Sequence, residues 1–476
     1  MRRLRRIWDQ PRTGRIAAGM RARAFPDDLS VLLAQIAVFS FVLVTVSGVV
    51  LMFFYDPSAE RVTYDGSYAP LTGVEMSRAF ASTLDISVGV RGGLLMRQLH
   101  HWSSLVMTAA LVAYLLRLFF TGAVRRPRQW TWLLAVTVLL LAMAGGLTGS
   151  ALPDDLLSGS SMAVLDGVLA ATPFVGGLLS QLLFGGSHGG VNAIFYPLHV
   201  VVLPAALVIT LVLMAIVELR GKPVQYAGRE RPGLNLATFV VRSAGLFLVV
   251  AGVVVSMAAT LTVNPIWHYG PADPASATAG SSPTWYLAFL DGALRLAPGW
   301  EFVWLGRTWS VALLAPLLVS TLFFAVLAAY PYLEQRVTGD RADHCLLQRP
   351  RNHPVRTGVG VAGMVFYGVL WAAAGANTIA LVFHGSVEGL MYFLQVMLVL
   401  GPVVGFDVTR RICLGLQRKD REIRLHGRET GRIVRTPSGG YVEIHEPAEQ
   451  LEPLESHESG EPGVRELAAA TPRKEQ

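Results

Sequence analysis

Residues 97–120 read RQLHHWSSLVMTAALVAYLLRLFF, and residues 192–217 read NAIFYPLHVVVLPAALVITLVLMAIV. Each is an apolar run longer than the roughly 20 residues that cross a bilayer. Each carries a histidine near its start, His100 and His199. The two belong to spans near 95–121 and 193–219, and six further runs have the same character, near 30–53, 130–151, 236–262, 308–331, 357–383 and 387–408. A mean hydropathy of +0.46 with 15% charged residues fits eight spans. Only helices satisfy the backbone of such runs in lipid, so the fold class is an all-α polytopic membrane protein.

The net charge of +7 is distributed by loop. Arginine fills the amino-terminal arm, the second, fourth and sixth loops and the tail after Thr409, whereas Ala151 to Asn192 holds no Lys or Arg. Such alternation is the positive-inside pattern and places both termini in the cytoplasm. It also argues against a nucleic-acid surface. The Arg-rich start runs into a full-length span, so no cleaved signal peptide is expected. Cys345 and Cys413 fall on the cytoplasmic side and read as reduced thiols. No charge sits mid-span and no pair of broken helices is evident, so the usual pointers to a transporter are missing.

The segments follow: a basic arm (1–28), a four-helix bundle (29–222), a Pro/Gly/Arg linker (223–235), a second helical membrane domain (236–409) and a cytoplasmic tail (410–476), expected to be disordered after about 447. Two outer loops are long. Leu152 to Asn192 has apolar stretches suited to lying on the membrane, and Asn264 to Arg307 is rich in Trp, Pro and Gly, as interfaces are.

Spans two and four both run inward, so His100 and His199 lie at matched depth near the outer face. Two imidazoles facing each other across a bundle suit the axial positions of a heme iron. A packed, hydrogen-bonded pair is the competing reading. His101 is rotated by about 100° and is expected to face another helix or the interface. Gly48 and Gly149 lie near the outer ends of spans one and three. They either let a flat macrocycle approach or serve helix packing. Arg97, one turn before His100, suits a propionate or simply snorkels to the interface.

Fourteen residues return a helix to nearly the same face about 21 Å deeper. Tyr114 is 14 residues after His100 and Met214 is 15 after His199. Ala34 lies 14 before Gly48, and Ala135 lies 14 before Gly149. No histidine occupies the inner level, so that space reads as ordinary core, with a Tyr–Met ligand pair as the rarer alternative.

Taken together, several stretches resemble one family: RQLHHW (97–102), RLFFTGAVRRPRQW (117–130), SALPDDLLSG (150–159), FYPLH (195–199) followed by Pro204, NPIWHYGPADP (264–274), AGSSPTWYLAFLDGALRLAPGWE (279–301) and LGLQRKDREIRLHGRETG (414–431). The chain resembles the cytochrome b subunit of the actinobacterial cytochrome bc complex, a menaquinol–cytochrome c reductase, over residues 28 to 446. LPDDLLSG and the long tail are particular to that branch.

The resemblance implies eight transmembrane helices with hemes inside the first four. It implies His100 and His199 as ligands of the outer heme b, Gly48 and Gly149 as its glycine contacts, and Arg97 as a propionate partner. Pro283, Thr284, Trp285 and Tyr286 match the quinol-oxidation motif. A Rieske iron–sulfur subunit, a cytochrome c subunit, menaquinone or menaquinol, and a homodimeric complex in the cell membrane come with it. Three departures stand out. Tyr114 and Met214, with Ala34 and Ala135, stand where the inner heme has histidines and glycines. Thr284 stands where a carboxylate follows the proline. Ile194 stands where arginine precedes the fourth-span histidine. One outer heme and an impaired or absent Q cycle are therefore expected. The alternative is a non-catalytic paralogue serving as an assembly or scaffold subunit.

Overall fold

The computed structural model describes residues 25–184, 192–221, 225–226, 233–273 and 284–446. Most of the basic arm, most of the linker, the tail beyond 446 and Pro283 of the quinol motif lie outside the described residues.

Among the described residues, eight helices are long and apolar enough to cross a membrane. They are α1 Leu29–Met52, α2 Gly93–Phe120, α3 Gln129–Ala151, α4 Asn192–Arg220, α5 Leu236–Thr260, α6 Val311–Thr338, α7 Pro354–Ala374 and α8 Val387–His426. Their starts are chemically marked. Asp28 Oδ1 accepts from the amides of Ser30 (2.7 Å) and Val31 (3.1 Å), capping α1. Asn235 and Ser386 cap α5 and α8 in the same way.

Two spans outrun their expected ends. α6 continues to Thr338 and α8 to His426, because their charged extensions find partners. Arg356 pairs with Glu334 at 2.7 Å, and Arg351 pairs with Asp420 at 2.9 Å. α7 stops at Ala374, and a short helix, Ala376–Val382, replaces the end expected for that span.

One hydrophobic cluster runs from Leu111, Trp132 and Leu139 of the first four spans to Phe289, Leu370 and Leu394 of the second half. A smaller cluster joins α5 to α1 and α2 through Leu99, Val250, Val254 and Ile36.

The connections on the histidine-bearing side are structured. A hairpin pairs β1 (Arg61–Thr63) with β2 (Glu75–Ser77). The long third loop holds helices Leu156–Ala170 and Gly176–Phe184. A second hairpin, β3 (Glu301–Trp304) with β4 (Arg307–Ser310), leads into α6. At the opposite end α8 runs on into a hairpin of β5 (Arg428–Arg435) and β6 (Tyr441–Glu446).

A buried cavity around a matched histidine pair

His100 and His199 face each other from α2 and α4, with ring centroids 6.0 Å apart and planes at 67°. Their surroundings repeat. His100 Nδ1 lies 2.9 Å from the Val44 carbonyl and 3.3 Å from Ser47 Oγ on α1. His199 Nδ1 lies 3.0 Å from the Gly145 carbonyl and 3.2 Å from Thr148 Oγ1 on α3. A carbonyl oxygen only accepts, so each Nδ1 carries the hydrogen and each Nε2 presents a lone pair.

With Nδ1 of each ring committed, the two Nε2 atoms are the ones that would hold a metal between α2 and α4. A merely packed pair has no need of two fixed tautomers at that separation.

Gly48 and Gly149 accommodate the histidine rings themselves. A Cβ at Gly48 would lie 3.0 Å from His100 Cε1, and one at Gly149 would lie 2.5 Å from His199 Cε1. Each glycine follows a residue whose hydroxyl is near the same ring. The repeated pairs Ser47–Gly48 and Thr148–Gly149 were readable signals that sequence reasoning passed over.

The 15-residue interval in α4 also finds its reason. Leu198–Val202 forms a π-turn, flanked by Pro197 and by Pro204, which lacks the N–H an α-turn onto Val200 would need. A π-turn absorbs one extra residue. Fifteen residues in α4 thus turn the face about as far as 14 do in α2.

These residues line a cavity of about 270 Å³. Arg97, His100, His199, Gly48, Gly149, Thr284 and Tyr286 all contribute to its wall. His101 does too, contrary to expectation, because the cavity is wide enough to meet neighbouring positions of α2. Arg97 donates through Nη2 to the Asn264 carbonyl at 2.6 Å, while its buried Nη1 has no hydrogen-bond partner. A flat anionic macrocycle held by two imidazoles fits this set: two neutral nitrogen donors, glycines behind them, and a guanidinium with one donor unspent.

The quinol-motif residues divide. Thr284 and Tyr286 reach the cavity, whereas Trp285 packs against the hydrophobic core. Tyr286 is 3% exposed, and burial raises its phenol pKa. Gln98 was not anticipated from sequence. It is 1% exposed and holds Val263 from both sides, donating to its carbonyl (2.9 Å) and accepting from its amide (2.8 Å). It thereby fixes the segment that supplies Asn264.

The inner level is different. Tyr114 and Ala135 are buried at 5% and 1% exposure in the main hydrophobic cluster, and Ala34 and Met214 pack against it. Met107, Ala142 and Leu207 belong to that cluster and also line the cavity, so they form its boundary with the core.

Comparison with known proteins gives the family. Residues 105–271 match the family described as cytochrome b (N-terminal)/b6/petB. The chain is 42% identical over 455 residues to the cytochrome bc1 complex cytochrome b subunit of Streptomyces coelicolor, covering 94% of this chain and 83% of that one. It is 42% identical over 447 residues to the subunit of the same name from Mycobacterium leprae, covering 91% and 80%. A solved structure titled hyperthermophilic respiratory Complex III superposes with a TM-score of 0.56 at 17% identity, over 80% of this chain and 93% of that one, and bears on the fold alone. Relatives of this identity and coverage, with the paired histidines in place, show that the chain belongs to the cytochrome b family, among the cytochrome b subunits of actinobacterial cytochrome bc1 complexes.

Proposed function

We propose that this chain is the electron-carrying cytochrome b subunit of a menaquinol-oxidising cytochrome bc complex, with one heme b on the outer side and no complete Q cycle. The observation that carries the proposal is the His100–His199 pair, with both Nδ1 atoms committed to carbonyls and ring centres 6.0 Å apart. When bound, heme b supplies a one-electron acceptor within the membrane.

The chain's own residues do the rest. His100 and His199 hold the iron through Nε2. Arg97 offers Nη1 to a propionate. Tyr286 and Thr284 form the wall toward a quinol, which the family places on this face. The Thr284 hydroxyl is a poor base and does not replace a carboxylate.

Filled core at Tyr114, Met214, Ala34 and Ala135 supports an electron path that ends at the outer level. The second electron then passes to a partner on the outer face. A Rieske iron–sulfur subunit and a cytochrome c subunit are the partners proposed from the relatives, in a dimeric assembly of the cell membrane with both termini cytoplasmic. The scaffold reading gains support from Thr284 and the filled inner site. It leaves unexplained why the outer pair keeps its hydrogen bonds and glycines.

The test is heme per polypeptide by pyridine hemochrome in the purified protein, beside His100→Ala. One heme, lost in the variant, supports the proposal. Two hemes overturn the single-heme reading, and none leaves the scaffold.

A further inference from the structure

The chain lacks a carboxylate at Thr284, yet a sealed one lies behind the cavity wall. Asp155 is 0% exposed. Its Oδ1 accepts from the Ser158 amide at 3.1 Å, while Oδ2 is buried without a hydrogen-bond partner. Asn264 Oδ1 and Arg97 Nη1, both from cavity-lining residues, are likewise buried and unpartnered. The three residues come from segments that pack together. Arg97 donates to Asn264, Asp155 lies within Coulombic range of Arg97, and Asp155 is bridged to Pro271 of the segment that Asn264 begins. Nη1 carries two N–H groups, so with one given to a propionate the other would still be free to share a water with the two acceptors.

On its other side Asp155 adjoins Asp154, which is only half-buried and accepts from Ser77 Oγ at 2.5 Å, with Arg61 nearby. Asp155 thus stands in sequence and in charge range between a cavity-lining arginine and a half-buried carboxylate.

We infer that Asp155 and Asp154 form a proton outlet for the cavity, with Asp155 taking the proton that Thr284 has no carboxylate to accept. This rests on the quinol-oxidising reading. When the quinol is oxidised, with its electron going to the one-electron acceptor that a bound heme would supply, its O–H bond breaks and an O–H bond forms at Asp155 Oδ2. Asp155 then loses the proton to Asp154 and outer water, and its carboxylate is restored. The charged groups facing the pair are Arg97 from α2 and Arg61 from β1; Ser158 and Ser77 supply hydrogen bonds. Burial favours the protonated form of both aspartates, as a transient acceptor requires.

The experiment compares wild type, D155N and D155E in the assembled complex in membranes. D155N keeps the Oδ1 that caps the Ser158 amide and removes the titrating group. Equal heme content establishes folding. Menaquinol oxidation in D155N is expected to fall on the order of tenfold or more, to lose its pH dependence across the carboxylate range, and to recover in D155E. An infrared difference spectrum on electrochemical reduction of the heme, without quinol, is expected to show a carboxyl C=O band that D155N lacks. Wild-type turnover in D155N with the band retained overturns the outlet. A wild-type complex that carries heme but does not oxidise menaquinol sinks the quinol-oxidising reading instead. The infrared band then decides alone whether Asp155 takes up a proton on reduction.

Discussion

The Tyr286 hydroxyl occupies the space a side chain at Gly146 would need: a Cβ there would lie 1.7 Å from that oxygen. Tyr286 is outside the membrane spans and Gly146 lies in α3, one turn from Gly149. The wall assigned to the quinol is therefore seated directly on the helix that supports His199.

Gly146→Ala is expected to push Tyr286 off its seat while leaving both histidines bonded. Heme content should stay at the wild-type level and quinol oxidation should fall, on the order of tenfold for a misplaced binding wall. Equal loss of heme and activity would mean that Gly146 serves the heme pocket rather than Tyr286.

The two ring-facing glycines should differ in sensitivity. An added methyl would sit 2.5 Å from His199 Cε1 at Gly149 but 3.0 Å from His100 Cε1 at Gly48. Overpacking of this kind costs about 1–3 kcal/mol, or roughly 5- to 150-fold in affinity. Gly149→Ala is expected to lose more heme than Gly48→Ala, as read by heme retention during purification. The reverse order would count against the ring contacts as the reason for the glycines.

Restoring histidines at the inner level should not restore a heme. Tyr114 and Ala135 are core residues, and Ala34 and Met214 pack on the same cluster. Tyr114→His with Met214→His places two imidazoles within a packed hydrophobic cluster, and burying unpartnered polar rings lowers stability by about 1–3 kcal/mol each. Heme per polypeptide is expected to stay unchanged, with a lower thermal midpoint. A second heme in the double variant would show that the inner core yields readily.

Stability should depend on Asp154 in a definite direction. Burial raises its pKa above the usual carboxylate value. The folded protein then holds the proton more tightly than the unfolded chain. Its contribution is most favourable on the acid side and declines as pH rises from the ordinary carboxylate pKa through the raised one. Asp154→Asn keeps an acceptor for Ser77, and should flatten that part of the thermal-midpoint profile. A profile identical to wild type would show that Asp154 does not titrate there.

Much of this protein was legible from the chain itself. Eight apolar runs dictate helices, because lipid offers the backbone no other partners. The matched depths of His100 and His199, and the absence of histidine at the inner level, follow from helical rise alone. The tertiary structure decided what periodicity does not carry. It showed that Gly48 and Gly149 make room for imidazole rings, and that a π-turn reconciles intervals of 14 and 15 residues. It also brought His101 to the cavity and left Trp285 in the core. Asp155 comes within Coulombic range of Arg97 only because the connections after α3 and after α5 pair with each other at one end of the bundle. Spacing along one helix fixes depth and face, whereas contact between segments more than 50 residues apart depends on how loops close and side chains fill the space between them.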